Sequence, residues 1–173
     1  MKSAVGTFIV ALVIGIAFGG MAVAQGTSKM NANIEVARKH HEEVWSKGNL
    51  VGADEIYSNE IVRHSAGMPD MKGREAYKQF MLGLREAFPD YKETVEDVIA
   101  SGDLVATRVT MTGTMTGAMR GAKGTIPPTG NRLNTPCAVF FRIAEGKIVE
   151  VWSHYDSIAF AKALGLQPSP PPQ

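Results

Sequence analysis

The sequence lacks several features that define common protein classes. It contains one cysteine, Cys137, so no intramolecular disulfide can form and the hydrophobic core must stabilise the fold alone. Cys137 lies in an apolar strand pattern, which predicts a buried thiol rather than a reactive one. The chain also has no excess charge, with 18 basic and 17 acidic residues. Balanced charge gives no support to nucleic-acid binding or to a basic membrane-binding surface.

Motifs for nucleotide and metal chemistry are also missing. No Gly-x-Gly-x-x-Gly follows a predicted strand, no phosphate-binding loop occurs, and no Ser-His-Asp arrangement can be argued. The four histidines have no carboxylate at recognisable ligand spacing. His40 and His41 are adjacent, and adjacent side chains on a helix point about 100° apart. We therefore expect neither a metal ion nor an organic cofactor.

A long apolar run occurs at the N-terminus. Lys2 precedes an apolar or glycine run over residues 8–18, and Ala22-Val23-Ala24 is a typical cleavage site. This pattern predicts a signal peptide over residues 1–24, and therefore a secreted or periplasmic protein with no membrane attachment in its mature form. The alternative is an uncleaved membrane anchor. Residues 25–166 then form one domain, and residues 167–173 form a Pro-rich tail.

The periodicity of the remaining chain changes once. Apolar residues at helical spacing predict helices over 33–47, with Asn33 as N-cap, over 51–57 and over 73–88. A short strand is expected over 60–64, four strands over 91–100, 104–114, 133–143 and 147–156, and a final helix over 157–164. Helices followed by an antiparallel meander predict an α+β fold, a cone-shaped barrel with a curved antiparallel sheet covered by N-terminal helices. Such a cone encloses a natural small-molecule cavity.

The last strand carries the most informative pattern. Alternation along residues 148–156 places four polar or aromatic side chains on one face: Glu150, Trp152, His154 and Asp156. A carboxylate, an imidazole and an indole on one face suit a pocket wall. The alternative is a half-exposed strand with a polar outer face.

Several short phrases occur in an order typical of one family. They are EVWSKGN (43–49), VRH (62–64), FPD (88–90), GDLVATR (102–108), TGT (112–114), PPTG (127–130) and GKIVEVW (146–152), followed by Asp156. Over roughly residues 33–166 the chain resembles the SnoaL-like polyketide cyclases, or ester cyclases, of the nuclear-transport-factor-two-like superfamily. The resemblance implies a cone-shaped α+β barrel, often a homodimer, that works without metal or cofactor.

The resemblance also implies a catalytic residue. In the characterised cyclases an aspartate at the end of the GKIVE-x-W strand is the acid/base of an intramolecular aldol closure, and that position here is Asp156. His154 shares its predicted face and would donate to an oxyanion or hold the carboxylate. The alternatives are an N-cap role for Asp156 and a rim or interface position for His154.

Four further residues are candidates for binding substrate. Trp152 would position a flat ring, and His64 would face the cavity at the end of a short strand. Arg108 would anchor Asp156 or Glu150, or would face solvent. His41 lies on the first helix, where the family often has aromatic residues near the pocket.

Three functions are compatible with this pattern. The first is an exported cyclase or isomerase that uses acid/base chemistry on a small apolar carbonyl compound. The second is a non-catalytic exported carrier or sensor that binds a small apolar ligand in the same cavity. The third is a structural module whose sheet is only a dimer surface. All three are compatible with the pattern because this superfamily fold does not determine function.

Overall fold

The computed structural model describes residues 24–65, 67–121 and 124–166. The predicted signal peptide up to residue 23 and the Pro-rich tail 167–173 therefore lie outside the described residues. Among the described residues, no helix is both long enough and apolar enough to cross a membrane.

Four helices and eight strands make up the described chain. Helix α1 covers residues 24–47 and contains a π-helical segment, His40–Trp45. The other helices are α2 (Leu50–Ile56), α3 (Arg74–Ala87) and α4 (Ser157–Ala163). The strands are β1 (Tyr57–Ser65), β2 (Met68–Lys72), β3 (Lys92–Ser101), β4 (Leu104–Thr114), β5 (Met119–Gly121), β6 (Gly124–Ile126), β7 (Arg132–Ala144) and β8 (Lys147–Tyr155).

The main sheet confirms the predicted α+β class and meander. Its strand order is β2-β1-β8-β7-β4-β3, and β3, β4, β7 and β8 pair antiparallel in sequence order. The sheet departs from the predicted antiparallel arrangement at one strand, β1, which pairs parallel with β8. Residues 57–65 are separated from β8 by about half of the chain, so local sequence patterns do not predict this pairing.

Alternation along β4 and β7 separates the two faces of the sheet. Val105, Val109, Val139 and Phe141 are buried on the inner face, while Arg108 and Phe140 are exposed on the outer face. Helices α1 and α3 contribute buried residues such as Val44 and Met81 to the same core. The helices therefore cover one face of the sheet and leave the other face free.

The start of α1 differs from the prediction. The chain is already helical from residue 24, so Asn33 is not an N-cap. Asn33 is instead buried, and its Nδ2 donates a hydrogen bond to the carbonyl of Gly102 at 3.1 Å, in the turn between β3 and β4. A tertiary contact uses the amide group that the sequence pattern assigned to a cap.

Three short strands that form hairpins were not predicted. β2 pairs with β1, and β5 pairs with β6 as a separate two-stranded sheet. Strands of three to five residues are too short to show a reliable period-two pattern. The β5–β6 hairpin precedes Pro127, and it contributes residues to the cavity described next.

Candidate active site

A cavity of about 1000 Å³ lies between the sheet and the helices. Its wall is mainly apolar and aromatic, with side chains from α1, α3, α4, the main sheet and the β5–β6 hairpin. Buried polar groups are confined to a few places on this wall. A large apolar cavity with a few convergent polar groups is typical of a small-molecule site.

The π-helical segment of α1 brings two histidines to the inner end of this cavity. His40 lines the cavity, and His41 lies beside it, completely buried. Both rings contact Phe141 edge-on, with ring centroids 4.7 Å and 5.5 Å from the Phe141 ring. The two rings are also close to each other, with centroids 4.7 Å apart, although adjacent residues on a helix were expected to point apart. Short π-helical segments within α-helices are frequent at functional sites.

A continuous hydrogen-bond network links the helix to the sheet. Glu93 on β3 accepts a hydrogen bond from the Tyr91 hydroxyl at 2.7 Å and one from Nδ1 of His41 at 2.6 Å. The other nitrogen of His41 lies 2.9 Å from Oγ1 of Thr107, which donates to the carbonyl of Val139. The side chains of Tyr91, Glu93, His41 and Thr107 are all buried. The network therefore contacts water or a ligand only when one enters the cavity.

His40 makes a second buried contact, with Tyr57. Its Nδ1 lies 2.9 Å from the Tyr57 hydroxyl, and burial raises the pKa of Tyr57 well above its ordinary value of 10. Burial, followed by the nearby His41 and Arg63, holds the pKa of His40 well below its ordinary value of 6.5. The His40 ring is therefore neutral at pH 7. When the Tyr57 hydroxyl donates to Nδ1, the neutral His40 ring carries its proton on Nε2.

Arg63 is the buried cation of this cavity. It lies on β1, lines the cavity, and holds its guanidinium 4.6 Å from the centre of the Phe80 ring. Arg63 was not among the residues predicted to form the site. The period-two alternation of β1 could have indicated it, because Arg63 follows Ile61 by two residues and lies on the side of the strand that faces the core.

Glu93 was missed for a similar reason. It occupies the inner face of β3 between Tyr91 and Val95, where alternation predicts an apolar residue. A lone carboxylate at such a position indicates either a buried partner or a functional site. The partner, His41, comes from a helix 52 residues earlier, so no spacing rule could connect the two.

The predicted pocket wall on β8 is the outer face of the sheet. Val151 and Ser153 point inward, whereas Glu150 and Trp152 are partly exposed and His154 is exposed. The alternative of a half-exposed strand with a polar outer face is therefore correct. The alternation assigned these residues to the two faces of the strand correctly. The helices, however, cover the face that carries Val151 and not the face that carries Trp152.

Asp156 lies at the end of β8 and is exposed. Its Oδ1 accepts hydrogen bonds from the backbone N–H groups of Ile158 and Ala159, at 2.9 Å and 3.0 Å, so that it forms the N-cap of α4. It does not belong to the cavity lining, although its neighbour Tyr155 does. The prediction that Asp156 points into the pocket is wrong, while its catalytic role stays a prediction.

His154 and Trp152 also lie away from the cavity. The His154 ring contacts Phe140 on the outer face, with centroids 6.0 Å apart. Trp152 stacks on His64 with centroids 5.5 Å apart, and the guanidinium of Arg142 lies 5.7 Å from its ring centre. Their predicted contacts with a ligand in the cavity do not occur in this arrangement.

His64 and Arg108 take part in outer-face ion pairs. Nδ1 of His64 lies 2.8 Å from Asp70 and Nε2 lies 2.9 Å from Glu150. Arg108 pairs with Asp97 at 2.6 Å and does not anchor Asp156 or Glu150. The predicted cavity position of His64 and the anchoring role of Arg108 are both wrong, because each side chain alternates onto the uncovered face.

His41 and Cys137 are both buried. His41 was predicted to bind substrate, and the structure places it directly behind the cavity wall, in the network with Glu93. Cys137 is buried on β7, and burial raises the pKa of its thiol to about 12. The thiol is therefore protonated at physiological pH and is a poor nucleophile, as the sequence predicts.

Within the described residues, one group has the composition of a metal site. One ligand atom each from His40, His41 and Glu93 lies within 4.8 Å of the others. Both nitrogens of His41 and both oxygens of Glu93 already have protein partners, as described above. The cluster is thus a hydrogen-bonded network, and binding a metal ion would require breaking part of it.

Comparison with known proteins decides the family. The family model described as SnoaL-like polyketide cyclase matches residues 35–164. The chain belongs to this family. The sequence resemblance, the cone-type α+β fold and the nuclear-transport-factor-two-like superfamily are thereby confirmed.

Solved structures of SnoaL-like proteins support the same conclusion. A candidate SnoaL-like polyketide cyclase from Jannaschia sp. CCS1 is 25% identical, with a TM-score of 0.72 over 80% of this chain and 95% of that chain. IdmH from Streptomyces antibioticus, a candidate polyketide cyclase, is 27% identical with a TM-score of 0.65 over 78% and 99%. AclR from Streptomyces galilaeus, a candidate hydroxylase, is 27% identical with a TM-score of 0.67 over 82% and 86%. A comparison with curated proteins finds no match.

Proposed function

We propose that this SnoaL-like protein is an exported enzyme that uses cofactor-free acid/base chemistry on a small, largely apolar carbonyl compound of the polyketide type. Family membership and the apolar cavity of about 1000 Å³ support the substrate class. The observation that carries the proposal is the approach of Glu93 and His40 on the cavity wall, with ligand atoms within 4.8 Å of each other. A carboxylate base and a neutral imidazole donor at this separation match the two needs of enolate formation.

The proposed reaction begins with loss of a proton from the carbon next to a carbonyl group. The C–H bond breaks, Glu93 takes the proton, and the electron pair moves onto the carbonyl oxygen. Nε2–H of His40 donates to that oxygen, while Tyr57 holds the ring in the required tautomer. The enolate carbon then forms a C–C bond to a second carbonyl carbon of the same molecule. The new alkoxide takes up the proton that Glu93 removed, which regenerates the carboxylate, so the closure needs neither an external proton nor a redox partner.

Exchange of hydrogen for deuterium tests the first half of this reaction without knowledge of the natural substrate. 1-Tetralone in D₂O is a suitable apolar ketone, and NMR follows loss of its α-proton signal. The protein should accelerate exchange, and Glu93→Gln should lower that acceleration by about 10²–10⁴-fold. His40→Gln should lower it as well, since it removes the donor to the enolate oxygen.

The matched control is Asp156→Asn, which keeps a side-chain oxygen for the α4 cap. Because Asp156 is exposed and outside the cavity lining, this variant should retain exchange activity. Loss of exchange in Asp156→Asn, together with full activity in Glu93→Gln, would return the acid/base role to Asp156, as the family resemblance implies. The Glu93 assignment would then be abandoned.

The alternative function is an exported carrier or sensor that binds a small apolar ligand without turnover. One observation favours it: both oxygens of Glu93 already accept hydrogen bonds, so the network is satisfied without a substrate. Native mass spectrometry of the protein from its natural compartment should reveal a co-purified ligand. An unaltered ligand that binds equally to the Glu93→Gln variant, with no exchange activity in the wild type, would support the carrier.

Export and homodimerisation form part of the same proposal. Export is supported by the predicted cleavage after Ala24, and an intact mass beginning at Gln25 would establish it. Homodimerisation is supported by the uncovered outer face of the sheet, where Phe140 (44% exposed) and Ile99 (70% exposed) lie in one row with Ala106. Sedimentation at micromolar concentration should show a dimer that Phe140→Lys weakens.

A further inference from the structure

The cavity contains a buried cation that has no hydrogen-bond or ion-pair partner among the described residues. Arg63 is only 6% exposed, and its guanidinium contacts the face of Phe80. In residues 24–65, 67–121 and 124–166 it makes no hydrogen bond and no ion pair. A cation–π contact recovers only part of the hydration that a guanidinium loses on burial, so the five N–H donors of Arg63 leave a strong binding capacity unused.

Glu93 is the other buried charged residue on the cavity wall, and unlike Arg63 it has hydrogen-bond partners. Its two oxygens accept hydrogen bonds from Tyr91 and His41. The remaining charged residues of the lining, Glu86 and Arg120, are exposed. Among the charged residues that line the cavity, Arg63 is therefore the buried one whose hydrogen-bonding capacity is unused by the described residues.

Two serine hydroxyl groups lie near Arg63 on the inner face of the sheet. Ser65 follows Arg63 by two residues on β1 and shares its inner face, and its buried Oγ has no partner among the described residues. Ser153 on β8 is directly opposite Ser65 in the sheet and lines the cavity. Arg63 and Ser153 thus offer hydrogen-bond donors on a wall that is otherwise mainly apolar, while Ser65 is not itself part of the lining.

We infer that Arg63 anchors a carboxylate that the ligand carries before any reaction takes place. The guanidinium fork matches the two oxygens of a carboxylate, and one positive charge neutralises one negative charge. A phosphate dianion would leave a net negative charge buried beside Glu93. The apolar wall then holds the carbon skeleton, so the ligand class is an aromatic or alicyclic acid. This inference rests on the proposed use of the cavity as the ligand site.

Binding of two ring-matched probes tests the anchor. 2-Naphthoate and 2-naphthamide have the same ring system, but only the first is charged at pH 7. Calorimetric titration of the full-length protein should show at least tenfold tighter binding of 2-naphthoate. Arg63→Met should remove this preference while it changes the affinity for 2-naphthamide by less than threefold.

Two further variants make the test robust. Arg63→Lys keeps the charge but not the fork, so it should retain part of the preference even if Arg63→Met does not fold. Arg108→Met removes an exposed arginine on the outer face and should leave both affinities unchanged.

Equal wild-type affinities for the two probes, or unchanged 2-naphthoate binding by a folded Arg63 variant, would overturn the anchor. In that case α-proton exchange of 1-tetralone would still support the proposed function. If the wild type binds neither probe, both the anchor and the apolar ligand site are overturned.

Discussion

Removal of the Glu93 carboxylate should reveal how strongly the buried network supports the fold. Glu93→Ala deletes the acceptor for the Tyr91 hydroxyl at 2.7 Å and for Nδ1 of His41 at 2.6 Å. A buried hydrogen bond to a charged group contributes about 1.5–3 kcal/mol. Loss of two such bonds should lower the free energy of unfolding by roughly 3–6 kcal/mol, because both donors remain buried without a partner.

The conservative variant Glu93→Gln should cost less. Its amide oxygen can still accept from Tyr91, while the charge-assisted bond to His41 is lost. We expect a decrease of about 1–3 kcal/mol. Glu96→Ala is the matched control, since Glu96 is exposed on the same strand and accepts a hydrogen bond from Thr110. An exposed substitution of this kind should stay within about 0.5 kcal/mol of the wild type.

Urea unfolding followed by circular dichroism measures all three variants. The slope against urea concentration should stay unchanged, so that the midpoint alone reports stability. The expected order of destabilisation is Glu93→Ala, then Glu93→Gln, then Glu96→Ala. If Glu93→Ala unfolds within about 1 kcal/mol of the wild type, the network does not hold the inner end of the cavity together and the reasoning fails.

Three further predictions concern other parts of the chain. Burial lowers the pKa of His64, but its hydrogen bonds to Asp70 and Glu150 outweigh this effect and raise the pKa above 6.5. His64 should therefore stabilise the fold below about pH 6.5 and lose this effect as the pH rises through the folded-state pKa, by under about 1 kcal/mol. Thermal melts between pH 5.5 and pH 8.5 should show a decline that is weaker in His64→Gln; an equal decline in both proteins would contradict the assignment. Asp156→Ala should lower the free energy of unfolding by about 1 kcal/mol through loss of the α4 cap, whereas Asp156→Asn should stay within a few tenths; equal urea midpoints for the two variants would argue against the cap. Exhaustive chelation should leave the melting temperature unchanged, because the His41–Glu93 network satisfies the groups that a metal would need; a fall of more than about 10 °C would show that a metal stabilises the fold.

The family and most of the secondary structure were predictable from the sequence. The helix at 74–87 and the strands at 92–101, 104–114, 132–144 and 147–155 lie within one or two residues of their predicted limits. These elements depend on local periodicity and on turn residues such as Gly102 and Gly146, both of which adopt positive φ in the structure. Such information lies within a few residues along the chain.

The composition of the site was not predictable in the same way. Glu150, Trp152, His154 and Asp156 were correctly placed on one side of the chain, but that side faces outward or caps a helix. Period-two alternation separates two faces of a strand and cannot say which of them the helices will cover. Packing between residues far apart in sequence determines which face the helices cover.

Only the tertiary structure assembled the buried cluster on the cavity wall. It required a π-helical segment at residues 40–45, a parallel pairing of β1 with β8, and a contact between His41 and a glutamate 52 residues away. The sequence by itself determined an α+β chain of the SnoaL-like family with an apolar core. The three-dimensional packing decided that Arg63, His40 and Glu93 line the cavity, because burial of charged groups depends on partners that no local pattern specifies.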